Sequence, residues 1–503
     1  MTVLSDFYFY GNTRFVVLVI ATLCLSVIVS NTIVLNFTII CMAEIPAEYD
    51  NGTHNFDEEP VVGVKYHYST SQRAWLFSVI AMGNLVGTVP VMKFTAKMGM
   101  RRMFTLFGLI SAIATALLPL AAYLGYGWLL AARFMEGFAM AIIFPAMGTI
   151  CTNWSSRKQA GIYMACLTTC VQIAAIFTMP VAGELCTSSV GWTAAYYLHA
   201  GITLVIFALF FLFYRDSPQD HRLVSSSELA LIQKDKSSTS KKQEPVPYKS
   251  IFTSIPIWAC WISYIGAGLG YNLFVLHFEI SGAGIAGALP YIIAAISKLL
   301  SGPLSDYSTC VSQRVRLIFF CFLSQGQMAI MIFIMSFLNE SASTAAFVCY
   351  TLAINSSGIT TVSTMKSGQL VACQHVHFVM SVINIINSLL VLVLPPFVAA
   401  LAPDNSHAQW STIFLISAIV VAVTNLFFVI VCKAEPAEWT KTNLKNSSIY
   451  SGIGPVLEGV RNNLKKDMGT NTFVVVEKKV QTENYESREK YIHNIRVGKT
   501  AGA

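Results

Sequence analysis

The chain has 503 residues, 54% of them hydrophobic and only 12% charged, with a formal net charge of +7. Soluble domains carry about 25% charged residues, so a cytosolic enzyme, a secreted disulfide scaffold and a disordered chain are excluded. The positive balance is not a nucleic-acid signal, because the basic residues are scattered through loops rather than gathered on one face.

Charge is also unevenly placed. Of 33 basic and 26 acidic residues, 20 lie in 433–503, 12 in 215–249 and 8 in 44–73, which leaves 19 for all the rest. Stretches so long and so poor in charge belong in lipid, where about 20 apolar residues make one helical crossing. In chain order the candidate spans are 15–42, 74–94, 103–123, 126–150, 159–183 and 193–214, then 251–278, 284–304, 316–338, 343–365, 376–402 and 411–432. The first is too long for a signal peptide and reads as a retained helix. The fourth carries Arg133 and Glu136. The tenth is rich in Ser, Thr and Asn, which suit helix contacts or a wet cavity better than lipid. Between the sixth and seventh lies a polar linker, 215–249, expected to be partly disordered; the charged tail 433–503, also expected to be disordered, follows the twelfth. Cys24, Cys41, Cys166, Cys170, Cys260, Cys321, Cys349 and Cys432 fall inside apolar runs and read as small hydrophobes. Cys186 lies outside with no evident partner, so no disulfide is expected.

Lys and Arg in the short loops set the orientation. With the N-terminus cytoplasmic, the inward loops hold Lys93, Lys97, Arg101, Arg102, Arg157, Lys158, Arg314, Arg316 and Lys366, and the outward loops only Lys65 and Arg73. Both termini are therefore expected in the cytoplasm. Glycosylation sequons agree, because Asn51-Gly-Thr53 falls in the first outward loop and Asn339-Glu-Ser341 in the fifth.

Six spans, a linker, six spans and a tail suggest a duplicated unit. After span 2 comes Lys97-Met-Gly99-Met-Arg101-Arg102. At the matching place after span 8 comes Gly302-Pro-Leu-Ser-Asp306, followed by Arg314 and Arg316. Residues 1–214 and 250–432 are thus expected to form two parallel six-helix bundles around a central cavity. That is an all-α membrane fold of twelve transmembrane helices, on the plan of the major facilitator transporters.

Further residues carry a more specific likeness. In chain order they are Asn36-Phe-Thr-Ile-Ile-Cys-Met42, Gly83 with Pro90, and Arg133-x3-Gly137-x7-Pro145 with Trp154 and Arg157. Pro180-Val-Ala-Gly183, Gly191-Trp192, Ser217-Pro218-Gln-Asp-His221, Leu289-Pro290-Tyr291 and Glu435-x2-Glu438-Trp439 come after them. From span 1 to just past span 12 the chain resembles the anion–cation symporters, a family that includes sialin, the vesicular glutamate carriers and the sodium–phosphate co-transporters. The resemblance implies alternating access and an anion moved with Na+ or H+. It also exposes departures. The arginine that the family carries in span 1 falls at Val34, its span 2 histidine at Phe77 and its span 4 glutamate at Met140. The histidine after the span 4 proline falls at Gly148 and the span 7 arginine near Ala267; only the span 4 arginine is kept, as Arg133. These losses argue against a dicarboxylate substrate and against the family's usual proton coupling, since desolvating a dianion costs several kcal/mol per charge.

Arg133 leads the candidate site residues. An arginine inside a span costs roughly 2.5–3.5 kcal/mol on insertion scales, so it faces a cavity or a partner. Glu136 lies three residues on, on the same helix face. Either the pair neutralises itself and ties span 4 to a neighbour, or Arg133 meets an anionic solute that Glu136 releases on protonation. His199, towards the outer part of span 6, is a candidate sensor of lumenal pH or a hydrogen-bonded helix end. Lys298 can reach the cytoplasmic edge or pair with Asp306, and Asp306 with Arg314 and Arg316 is expected in an inner latch. His277 and Glu279 are a candidate outer gate pair. Asn36, Tyr271, Asn272, Asn355, Thr360, Thr361 and Thr364 are expected to line the path from spans 1, 7 and 10, or else to join helices.

Gly498-Lys499-Thr500 imitates a phosphate loop, but His493 stands where its earlier glycine is needed. No metal-ligand spacing is visible and no cofactor is expected. The sequence predicts a secondary transporter rather than an enzyme, moving a small organic or inorganic anion with Na+ or H+. It is expected to act as a monomer in the plasma membrane or in a lysosomal or vesicular membrane. Two other readings stay open at this point, a carrier of a neutral or weakly charged solute and a non-transporting receptor or scaffold.

Overall fold

The computed structural model describes residues 11–43, 68–233, 246–280, 288–308, 310–338, 342–402 and 406–440. The sequons at Asn51 and Asn339 and the tail from residue 441 lie outside them. Twelve helical rods follow one another, and no strand occurs among the described residues. The N-terminal set is α1 (Thr13–Ala43), α2 (Thr70–Met98), α3 (Met100–Leu124), α4 (Tyr126–Met140 and Ile143–Trp154), α5 (Ala160–Thr168 and Cys170–Thr187) and α6 (Thr193–Phe213). The C-terminal set is α7 (Ile255–Ile280), α8 (Ala288–Tyr307), α9 (Gln313–Cys321 and Gln327–Met335), α10 (Ser343–Ile359 and Thr364–Ala372), α11 (Val376–Leu401) and α12 (His407–Val431). Nine described stretches are long and apolar enough to cross a membrane by length and composition, and one of them, Thr344–Leu401, contains both α10 and α11. With α7 and α8, of 26 and 20 residues, the rods number twelve. Their outward faces are apolar: Ile113, Val205, Leu300 and Ile430 are 57, 61, 66 and 64% exposed. Such a belt belongs in hydrocarbon, where a helix keeps every backbone polar group bonded. The chain is a multi-pass membrane protein.

The break within α4 has a local cause. Pro145 has no N–H, and its ring crowds the carbonyl of Ala141 four residues back; α4 parts between Met140 and Ile143. Three other rods are interrupted: α5 at Thr169, α9 by a π turn at Phe322–Gly326 and α10 by a 3-10 turn at Thr360–Val362. Because α10 resumes at Thr364 and runs to Ala372, span 10 does not end near 365. Lys366, expected in a cytoplasmic loop, is instead buried within the helix. Glycine sets how closely α2 and α4 approach. A Cβ on Gly83 would lie 2.1 Å from the carbonyl oxygen of Phe134, and one on Gly137 would lie 2.1 Å from that of Ile80. Gly83 and Gly87, four residues apart, form the small-residue seam that such close packing requires.

Cys41 and Cys186 are disulfide-bonded, which corrects the expectation of no disulfide. Cys41 reads as part of an apolar run, yet it lies in the last turn of α1 and meets the end of α5 across a sequence separation of 145. The other ten cysteines form no disulfide. The bridge marks one end of the molecule as the disulfide end; the turns near Gly99, Ser156 and Ser312 mark the opposite, basic end.

The linker is ordered at its start. Asp216 accepts the backbone N–H of Arg101 at 2.9 Å and lies over Gly99, whose φ of +80° and lack of a Cβ leave room for the carboxylate. Trp154 Nε1 donates to the Arg215 carbonyl at 3.0 Å. A short helix, Ser226–Gln233, places Glu228 to accept the N–H of Arg14 at 2.9 Å. The tail also begins as a strap, with the Ala437 N–H donating to the Val371 carbonyl at 3.1 Å and Trp439 packed on His375. The two sets of helices meet where α2 and the second half of α4 face α11, and where α5 faces α8.

Candidate functional site

Arg133 and Glu136 are both wholly buried. Arg133 Nη1 donates to Glu136 Oε2 at 2.6 Å and to the Thr32 carbonyl of α1 at 2.9 Å, and Nε reaches the Leu76 carbonyl of α2 at 3.4 Å. Thr115 of α3 donates to Glu136 Oε1 at 3.1 Å. The pair therefore neutralises itself and joins α4 to α1, α2 and α3. One edge of the guanidinium is unused, because Nη2 is buried without a hydrogen-bond partner. A planar fork with N–H groups left over fits a carboxylate or phosphate oxygen.

Asn36 on α1, Tyr271 and Asn272 on α7 and Asn355 on α10 are half-buried. Asn272 donates to the Gly268 carbonyl at 2.8 Å, one turn back, and Asn355 Oδ1 is buried without a partner. Thr364 has gone elsewhere. It lies 3.0 Å from the hydroxyl of Ser263, whose own hydroxyl and carbonyl accept Gln325 Nε2 at 2.6 and 3.1 Å. This cluster sits where α9 and α10 both leave regular helix. Sequence reasoning missed Gln325, because an apolar run gives no sign of a π turn. Thr360 and Thr361 are buried in the 3-10 turn beside it and bond to the Ser356 and Gly358 carbonyls.

His199 has no face on solvent. Nδ1 is 2.7 Å from the Ala195 carbonyl, Nε2 is 3.3 Å from Thr178 Oγ1, and the Phe177 ring packs against the imidazole. Thr178 is bonded in turn to Ser30, so the imidazole joins α6 to α5 and α1.

Lys298 neither reaches the basic end of the molecule nor pairs with Asp306. Its Nζ donates across to α5, to the Thr168 carbonyl and to Gln172 Oε1, both at 3.1 Å. Asp306 pairs with Lys366 of α10 at 2.5 Å and also accepts the N–H groups of Gly161 and Ile162, at 3.1 and 2.8 Å. Although Asp306 belongs to the last turn of α8, its carboxylate lies against the first turn of α5, where the helix dipole favours a negative charge. Asp306 thus meets Lys366 and the start of α5 rather than the Arg314 and Arg316 side chains expected beside it. Arg316 donates instead to the Ser305 and Asp306 carbonyls, and Arg314 to that of Ile430. The side chains of His277 and Glu279 lie outside the described residues.

Two more side chains bond across between the sets. Asn384 of α11 donates to Asn84 at 2.6 Å and to Thr88 at 2.8 Å on α2, and Gln369 Nε2 donates to Cys151 Sγ at 3.0 Å. Along α5, α8 and α11 the crossing groups named here all stand in the half nearer the basic end.

A model of the Major Facilitator Superfamily matches residues 18–389. The chain belongs to that superfamily. Among curated relatives of this facilitator, human sialin is 25% identical over 407 residues, covering 75% of this chain and 78% of sialin. Human sodium-dependent phosphate transport protein 1 is 22% identical, with 83% of this chain and 92% of the relative covered. Human vesicular glutamate transporter 2 is also 22% identical, at 75% and 67% coverage. Two solved structures share the fold. The proton:xylose symporter XylE bound to 6-bromo-6-deoxy-D-glucose superposes with TM-score 0.61 at 12% identity, covering 83% of this chain and 95% of that one. FucP in the outward conformation gives 0.58, also at 12% identity, with 84% and 100% covered.

One departure from the symporter pattern has a packing reason in this facilitator. A Cβ on Gly148 would meet Met380 at 2.7 Å and Val376 at 3.0 Å on α11. An imidazole there would have to push those two α11 side chains aside.

Proposed function

We propose that this facilitator is a secondary active carrier of a small organic or inorganic anion, coupled to Na+ or H+, with Arg133 as the group that meets the solute. The observation that carries this reading is the unused Nη2 edge of a wholly buried arginine. The names of the relatives, two of which specify glutamate and phosphate, support an anion. α1–α6 and α7–α12 would rock as two bundles about the solute.

On this reading the basic end faces the cytoplasm. It carries Lys93, Lys97, Arg101, Arg102, Arg157, Lys158, Arg314 and Arg316, Lys366 having withdrawn into its ion pair. The Cys41–Cys186 bridge at the other end favours an oxidising compartment there, while Cys310, exposed and free, lies at the basic end. The host is then the plasma membrane or a lysosomal or vesicular membrane, with both termini cytoplasmic, and the latch at Asp306 closes the cytoplasmic side of a carrier that works as a monomer.

The test is uptake of L-glutamate, N-acetylneuraminate and inorganic phosphate into proteoliposomes, with Na+ and pH gradients imposed separately. Arg133→Ala is expected to abolish uptake of whichever anion the wild type takes. Because that variant strands Glu136, the companion is Arg133→Met with Glu136→Gln, expected to reconstitute normally and remain inactive. Full uptake in either removes Arg133 from the mechanism. Flux of a neutral solute that ignores all three anions supports the neutral carrier, and absence of any flux supports a receptor.

A further inference from the structure

Among the described residues the interior of the twelve rods holds two cancelled ion pairs, Arg133 with Glu136 and Lys366 with Asp306. Lys298 is a third buried cation, 4% exposed near the middle of α8, and among the described residues no carboxylate lies within ion-pair reach of it. Arg14, also buried, stands apart at the basic end, where Glu228 accepts its backbone N–H. The Lys298 ammonium has three donors and two neutral acceptors, the Thr168 carbonyl and Gln172 Oε1, both at 3.1 Å. Bonds from a charged donor are usually shorter. The lysine stem lies against α10, where a Cβ on Gly358 would come within 3.4 Å of Cε. One turn before Gly358 is Asn355, whose amide oxygen is the buried acceptor without a partner. An ammonium held at mid-membrane by dipoles alone lacks its counter-charge.

We propose that Lys298 is the counter-ion of the transported solute, that the solute binds as a monoanion, and that its arrival draws the ammonium away from Thr168 and Gln172. This rests on the anion-carrier reading above. Both acceptors belong to α5 and the lysine to α8, so the exchange removes a tie between the two sets as the solute binds. Empty, the ammonium holds the sets together; loaded, the lysine–solute pair is neutral and the tie is gone, so rearrangement costs less with solute than without. A dianion would leave one charge uncompensated, and a neutral solute would leave the ammonium on α5. Arg133, already balanced by Glu136, orients the solute without adding net charge.

The test uses purified full-length protein in detergent, with L-glutamate, N-acetylneuraminate and inorganic phosphate as probes and thermal stabilisation as the readout of affinity. For a probe that stabilises the wild type, Lys298→Gln is expected to weaken binding by at least about tenfold, and Lys298→Arg by less. Gln172→Leu removes an acceptor but keeps the ammonium, so it is expected to bind as tightly as the wild type or more tightly. Undiminished affinity in Lys298→Gln, or equal weakening by Lys298→Gln and Gln172→Leu, overturns the proposal and makes Lys298 a tie between helices. Should Lys298→Gln fail to fold, weakened binding by Gln172→Leu still overturns it and retained binding supports it. Loss of affinity in Arg133→Met with Glu136→Gln but not in Lys298→Gln leaves the anion carrier standing without this proposal. If none of the three anions stabilises the wild type, both fall.

Discussion

Arg133 and Glu136 show what one buried residue does to its neighbours. Breaking a buried ion pair by removing one partner costs about 3–5 kcal/mol, whereas replacing both by apolar groups of similar volume is often neutral. Glu136→Gln, which leaves the guanidinium of a wholly buried arginine uncompensated, is therefore expected to lower the melting temperature in detergent. The double variant Arg133→Met with Glu136→Met is expected to melt near the wild type. Equal melting of Glu136→Gln and the wild type would contradict this account of the pair. The pair was legible in the sequence because charge inside a span is expensive and so has a reason. Lys366 was not, since it falls just past the expected end of span 10 at 365 and reads as a loop residue, whereas the helix resumes at Thr364 after the 3-10 turn and brings it onto Asp306. Cys41 was misread for a similar cause: its apolar neighbours say nothing of the end of α5, which reaches it across the fold.

Helices in this molecule are placed by their small residues and their breaks. Gly148 lies against Met380 and Val376 of α11, so Gly148→His, which restores the histidine of the related symporters, is expected to overpack the junction by about 1–3 kcal/mol. Thermal unfolding should show the loss; a melting temperature at or above that of the wild type would mean the contact is slack. The disulfide acts on a longer loop. Cys41→Ser with Cys186→Ser is expected to cost about 2–5 kcal/mol, seen as earlier unfolding under non-reducing conditions and no difference from wild type under reducing ones. The number, order and bounds of most rods could be read from apolar run length alone, because a hydrocarbon layer imposes one length on all of them. Their internal breaks could not, since prolines also lie inside unbroken rods, as Pro90 does in α2, and none marks the turns in α5 at Thr169, in α9 or in α10.

At the scale of the whole molecule, the contacts between the two sets collect towards the basic end through Asp306, Lys298, Asn384 and Gln369. Asp306→Asn removes the counter-ion of Lys366 and the charge facing Gly161 and Ile162, so it is expected to favour opening there. The readout is alkylation of Cys151, which is fully buried and bonded by Gln369. Peptide-level mass spectrometry should find it modified about a hundredfold faster or more in the variant, if opening becomes easier by the roughly 3–5 kcal/mol typical of a broken buried pair. An unchanged rate would show that Asp306 braces α8 without gating. That two solute-facing surfaces alternate is the claim on which the transport account stands, and counterflow tests it most directly. Proteoliposomes preloaded with an unlabelled anion from the panel and diluted into a trace of the labelled one should accumulate label transiently above equilibrium, because each outward trip of a loaded carrier returns an inward-going site. Label that only creeps to equilibrium, or never enters, would contradict alternating access in this protein.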